Sequence, residues 1–201
     1  PYTAQRSNGD IEQVQIGSET HDYLLTDWFR DGIAAEVGCW SEPYYDEAGA
    51  KMMLSTYTFP VRDKAGKKVA LLAADISLNW LSQIINARPI YPSSYNLLLS
   101  RTGQILVCPV ESLVMRRNIQ EVTEGLEDTT VSRINRQMLA GESGQAVVHD
   151  EKGEKNYVFF ARMDGDAGWS MAVVCSDREI YYSLRQVAFN LFLLMIFGMA
   201  L

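Results

Sequence analysis

LSTYTFP at 54–60, a polar turn at Asp63-Lys64-Ala65-Gly66 and VALLAADI at 69–76 decide how this chain folds. Two runs of apolar, β-branched and aromatic residues around a short Gly-containing loop are the signature of a β-hairpin. The second run ends in an acid, Asp75, and Ser77 can cap a helix opening at Leu78-Asn79-Trp80-Leu81. The Asp75 carboxylate is therefore expected where a strand gives way to a helix. WSEPYYD at 40–46 leads into the hairpin.

Upstream, Ile11 to Ile16 alternates in polarity and reads as a strand, with Tyr2–Arg6 as its one available partner across a turn at Ser7-Asn8-Gly9-Asp10. Thr26 or Asp27 is a good N-cap for a short helix that places Ile33, Ala34 and Val37 on one side and ends at Gly38. Downstream, a helix from Leu78 to about Asn86 is followed by Pro89, Pro92 and Ser93-Ser94, which interrupt regular structure and mark a boundary. The hairpin pattern then recurs twice. Tyr95–Leu99 and Gln104–Val107 flank a turn at 100–103; Gly144–Val148 and Asn156–Phe160 flank a turn at 150–153. A helix over Val131–Leu139, stopped by Gly141, can cover the resulting sheet, and Trp169–Val174 supplies a last strand. About five antiparallel strands with crossing helices make an α+β class.

Composition narrows the function. A chain of 201 residues with 47% hydrophobic content can bury substantial cores. Eighteen basic against 25 acidic residues give a net charge of -7, which repels a phosphate backbone and disfavours nucleic acid as a partner. Cys39, Cys108 and Cys175 are scattered and odd in number, so they read as small apolar residues and not as a disulfide framework or zinc site. With only His21 and His149 there is little from which to build a triad or a histidine metal site. Asp46-Glu47, Asp150-Glu151 and Asp164-Gly165-Asp166 read as solvated loop and turn acids, too few for calcium. No cofactor is indicated.

The run VAFNLFLLMIFGMAL at 187–201 is apolar on every face, with Asn190 its one strongly polar member. A bilayer span needs roughly 20 apolar residues, so the run is too short by itself and is expected to open a membrane helix; the alternative, a buried C-terminal helix, would show an amphipathic stripe. With neither an initiating Met nor a signal peptide at Pro1, the sequence reads as cut at both ends from a longer protein.

Taken in order, Trp28-Phe29, SEPYYD at 41–46, TYTFPV at 56–61, KKVALLAADISL at 67–78, the Gly103 hairpin and GWS at 168–170 resemble the double Cache sensor domains of bacterial transmembrane receptors. The resemblance implies two PAS-like modules in tandem: a membrane-distal one at 1–90 lacking its N-terminal part, a proximal one at 91–178, and the start of a transmembrane helix at 179–201. It implies a periplasmic domain at the inner membrane, a homodimer in the full-length receptor, and a small-molecule ligand. The sequence does not distinguish a histidine kinase, phosphatase, cyclase or chemoreceptor output; the resemblance leans to the histidine kinase or phosphatase type.

In family members that bind amino acids, an Asp and a Tyr hold the ligand ammonium, and these positions match Asp75 and Tyr44. Physically, a carboxylate takes charge-assisted bonds from an ammonium, and an aromatic ring adds about 0.5–2 kcal/mol of cation-π attraction. The family's carboxylate-binding half is altered: its Arg position is Thr26, its first Tyr is His21, and the Tyr after Trp28 is Phe29. Without a guanidinium fork, bidentate carboxylate capture is lost. The expected ligand is thus an amine-bearing or neutral small molecule, contacted by Asp75, Tyr44, Trp28, Tyr57, Phe29 and Thr26. Other roles stay open: Asp75 as a helix cap or structural acid, Tyr44 and Tyr57 as core, Trp28 as a packing anchor and His21 as a surface residue. So do a ligand-free dimerising ectodomain and a membrane-tethered hydrolase.

Overall fold

The computed structural model describes residues 2–5, 9–14, 22–47, 49–110, 112–124, 129–150 and 152–199. Ser7, Asn8, Ile16 and His21 lie outside the described residues. Strands β1 (Tyr2–Gln5) and β2 (Ile11–Val14) pair antiparallel as a two-stranded sheet, with Tyr2 opposite Val14.

After a 3-10 turn at Tyr23–Leu25 comes α1 (Asp27–Ala34). Three expectations are corrected here. Thr26 holds the N-cap position, but its hydroxyl donates 2.6 Å back to the Tyr23 carbonyl and caps nothing. The helix also stops short of Gly38, because Ala35 is already extended at φ -64°, ψ 140°. The expected apolar stripe is not the buried face: Ile33 is 46% and Val37 67% exposed. The buried residue of α1 is Gly32, where a Cβ would lie 2.6 Å from Thr58 Oγ1. The helix thus sits on the sheet through its glycine, and Ile33 is turned aside.

The hairpin forms as read. Strand β5 (Met53–Arg62) pairs with β6 (Lys68–Ser77) along its length, and β6 runs into α2 (Leu78–Asn86) with Ser77 Oγ accepting from Trp80 N. The other edge of β5 carries β3 (Cys39–Trp40) and β4 (Tyr44–Tyr45) in succession. β6 is the exposed strand of this sheet, with Val69 58% and Leu72 66% accessible.

The second sheet has the order β8-β7-β11-β10-β9, all antiparallel: β7 (Tyr95–Leu99), β8 (Ile105–Val107), β9 (Gly144–His149), β10 (Lys155–Arg162) and β11 (Ser170–Ser176). Between β8 and β9 lie α3 (Ile119–Val122) and α4 (Thr130–Leu139). Leu99, Ile105, Val158, Phe160 and Val174 form one core with Ile134 and Met138 of α4. On the opposite face Leu98, Leu106, Val107 and Trp169 pack with Leu78 and Leu81 of α2, which thereby joins the two sheets. Such burial contributes about 1.5–3 kcal/mol per large apolar side chain.

Ser176 Oγ accepts from Arg178 N and starts α5 (Asp177–Ile180), which leads into α6 (Tyr182–Met199). From Val187 to Ile196 the described side chains of α6 are exposed. No helix among the described residues is long and apolar enough to cross a membrane. All three cysteines are free; Cys175 is buried as expected, whereas Cys39 and Cys108 are only half-buried.

Candidate functional site

Asp75 stands opposite Thr56 across the β5–β6 ladder, three residues before Leu78, the first residue of α2. Ser77 caps that helix, so the carboxylate of Asp75 is left for other work. Thr56, only 1% exposed, donates its hydroxyl to Asp75 Oδ1 at 2.7 Å, and Tyr44 Oη lies 2.7 Å from the same hydroxyl. A threonine hydroxyl has one proton. Since that proton goes to the carboxylate, the Tyr44 O–H must be the donor to Thr56. Tyr44, Thr56 and Asp75 therefore form a directed hydrogen-bonded row ending on an exposed anion.

The row is anchored from one side. Ser41 N donates to the Thr56 carbonyl at 2.9 Å, Ser41 Oγ accepts from Thr56 N at 3.0 Å, and the Ser41 carbonyl accepts from Ser55 Oγ at 2.9 Å. Ser41 and Thr56 are both buried, which strengthens these bonds against competing water. α1 covers the same face of β5, because Gly32 approaches Thr58, and Thr58 lies two residues along the strand from Thr56.

The remaining candidates separate. Trp28 and Phe29, half-buried on α1, form an aromatic group with Tyr23: Trp28 stacks on it at 6.4 Å between centroids, and Phe29 meets it edge-on at 5.4 Å. Thr26 spends its hydroxyl on the Tyr23 carbonyl. Tyr57 lies on the opposite face of β5 from Thr56, with its ring 5.2 Å from Trp40 and its hydroxyl over Gly38. His21 lies outside the described residues.

The separation of Tyr57 from Asp75 has a local cause. Next to the turn Arg62 pairs with Lys68, but Val61 pairs with Ala70, so Val69 is an extra residue in β6. Without that bulge Asp75 would face Ser55 and share the side of Tyr57; with it, Asp75 shares the side of Thr56. Sequence reading missed Thr56 for this reason. The signal that could have found it is the alternation of Thr56 and Thr58 on one face of an otherwise apolar strand.

Elsewhere, Asp46 accepts from Gly49 N and Ala50 N, and Asp150 from Lys152 N and Glu154 N, so both close their own loops. Among the described residues no group of three His, Cys, Asp or Glu could hold a metal ion. A hollow of 270 Å³ between the start of α4 and β9, lined by Thr129, Thr130, Val131, Val147, Val148 and His149, is on the second sheet and away from Asp75. Lys68 and Arg62 hold the Glu36 carboxyl below its usual range, and burial raises the Tyr95 hydroxyl.

The chain is 33% identical over 96 residues to the methyl-accepting chemotaxis protein McpG of Pseudomonas putida, covering 48% of this chain and 15% of McpG. Its fold is similar to that of the extracellular domain of mmHK1S-Z3, described as a histidine kinase, with a TM-score of 0.66 at 16% identity over 89% of this chain and 61% of that one. It is likewise similar to the ligand-binding domain of the Pseudomonas fluorescens chemoreceptor CtaA, solved in complex with L-isoleucine: TM-score 0.62, 21% identity, 89% of this chain and 68% of that one. The chain thus spans a small part of its curated relative and about two thirds of these solved domains. A family model described as the Cache domain matches residues 5–184, and this chain belongs to that family.

Proposed function

We propose that this chain is the extracytoplasmic small-molecule-sensing region of a membrane-bound signalling receptor, and that its ligand carries an amine. The observation that carries the ligand reading is the Tyr44–Thr56–Asp75 row, which presents an exposed carboxylate on the face of β5 covered by α1. An ammonium at Asp75 would gain charge-assisted hydrogen bonds, and Tyr44, Trp28 and Phe29 would supply aromatic walls. Thr26 and Tyr57 contribute less, the first through its engaged hydroxyl and the second through its side of the sheet.

The chain is read as two modules, 1–90 and 91–178, with 179–201 reaching the membrane. Support comes from a repeat: β6 ends at a Ser-capped helix as β11 does, β5 pairs with β6 as β10 pairs with β11, and the hairpin β1–β2 precedes its half as β7–β8 precedes the other. The exposed apolar side chains of α6 favour a lipid or helix partner. Ligand would shift signalling only as far as its affinity differs between the two states.

A thermal-shift screen of amines, amino acids, short carboxylates and purines tests the reading, repeated with Asp75→Ala. At a concentration of 100 Kd a true ligand stabilises by about 2.7 kcal/mol, which raises the Tm by about 5–11 °C for a chain of this length. Amines should give this shift and lose it in Asp75→Ala. A hit undiminished in that variant would remove Asp75 from the site, and shifts confined to carboxylates or purines would refute the amine.

A further inference from the structure

We propose that Arg101, acting with Glu42, is the positioning residue that couples the Asp75 row on the first sheet to the β7–β8 turn of the second. Three observations meet there. Glu42 follows Ser41, whose backbone and hydroxyl are fixed to Thr56. Its Oε1 is buried and lies 2.8 Å from Arg101 Nε as an ion pair out of line for a hydrogen bond, while its Oε2 accepts from Thr102 Oγ1 at 2.6 Å. A hydrogen-bonded and ionic path thus runs from Asp75 through Thr56, Ser41 and Glu42 into the turn.

The turn is organised around that contact. Thr102 gives its proton to Glu42, so the Ser100 hydroxyl, 3.1 Å away, donates to Thr102 while accepting from Gln104 N. Arg101 also faces α1: its Nη2 is 3.7 Å from Asp31 Oδ2, longer than a charge-assisted hydrogen bond. Room for its stem comes from Gly168, at φ +67°, where a Cβ would lie 3.1 Å from the Cβ of Arg101. The next residue, Trp169, is buried and its ring lies 5.9 Å from Trp40.

The consequence is directional. Glu42 belongs to the segment bearing Tyr44, and Asp31 to the helix bearing Trp28 and Phe29, so both elements of the proposed site hold the same guanidinium. Seating α1 more tightly on the sheet would shorten the Asp31 contact and turn Arg101 against the tighter Glu42 contact. The turn would feel this and pass it through β7 to β11, the strand that runs into α5 and α6.

The coupling has a ligand-free test, and only its second arm rests on the amine reading. Hydrogen exchange is measured on the full chain and on Asp75→Asn, Arg101→Gln and the double variant. Asp75→Asn should raise exchange at the Gly103 and Gln104 amides by about threefold or more, and should add nothing once Arg101 is Gln. Glu42→Gln should reproduce the Arg101→Gln result. Unchanged amides in Asp75→Asn, or fully additive effects, would overturn the coupling. In the second arm putrescine affinity should fall about two- to fivefold in Arg101→Gln and recover in part in Arg101→Lys; a wild-type affinity in Arg101→Gln would also overturn it. Coupled exchange without putrescine binding would support the path and refute the amine reading alone.

Discussion

Replacing Thr56 with Val removes one hydroxyl from a buried position and nothing else of comparable size. Two hydrogen bonds go with it, one to Asp75 and one from Tyr44, each 2.7 Å long. A bond to a charged group contributes about 1.5–3 kcal/mol, but Asp75 is exposed and water takes over most of that role. The Tyr44 hydroxyl, half-buried, loses a neutral bond of about 1 kcal/mol. Burying a methyl in place of a hydroxyl returns part of the loss, so the net cost is about 1–2 kcal/mol. For a chain of this length that lowers the Tm by about 2–8 °C. Thermal unfolding followed by circular dichroism should show this drop for Thr56→Val and much less for Thr56→Ser, which keeps the donor. Tyr44→Phe alone should cost about 1 kcal/mol, and clearly less in the Thr56→Val background, because its Thr56 acceptor has already gone. Additive losses, or a Thr56→Val variant as stable as the parent, would refute the directed row.

Gly32→Ala places a Cβ within 2.6 Å of Thr58 Oγ1, so α1 must lift off β5; a loss of about 1–3 kcal/mol in unfolding stability is expected, together with weaker amine binding. Glu36 bonds Lys68 at 3.1 Å and Arg62, which lower its pKa from 4.5. Its stabilisation is complete above that value and lost as the pH falls through the folded pKa, so Glu36→Gln should flatten the acid limb of the Tm profile below about pH 5. Leu72→Lys on the exposed face of β6 should leave the unfolding free energy within about 0.5 kcal/mol of the parent and reduce aggregation on heating, measured by light scattering. Unchanged scattering would mean that β6 is not the self-associating strand.

Most of the fold was legible because its signals are local. Both second-half hairpins, the five-stranded sheet, the Ser77 cap and the α4 helix followed from alternation, turn glycines and helical spacing. Where the reading failed, a non-local contact had overridden the local signal. Ile33 and Val37 look like a buried stripe, yet what meets the sheet is Gly32, chosen by the shape of Thr58 and invisible in any hydrophobic periodicity. Thr26 looks like a cap, yet the preceding 3-10 turn offers its hydroxyl a carbonyl closer at hand. α5 was not foreseen as a separate turn of helix, since the Ser176-Asp177 start is followed by an acidic and a basic residue with no apolar repeat.

The site depends on the same distinction at finer scale. Asp75 and Tyr44 were legible as residue types, but the residue that joins them was not, since one additional residue at Val69 decides which face the acid shares. That parity also bears on the ligand. On Thr56's side the exposed carboxylate takes a hydrogen bond from Thr56, and an exposed carboxylate calls for donors. An ammonium meets that requirement directly. A zwitterionic amino acid would bring a carboxylate as well, and the hydroxyl of Thr26 at the start of α1 is already committed to the Tyr23 carbonyl. The bulge therefore does more than correct a register: it sets the exposed anion beside the fixed Thr56 donor, the arrangement on which the proposed amine ligand rests.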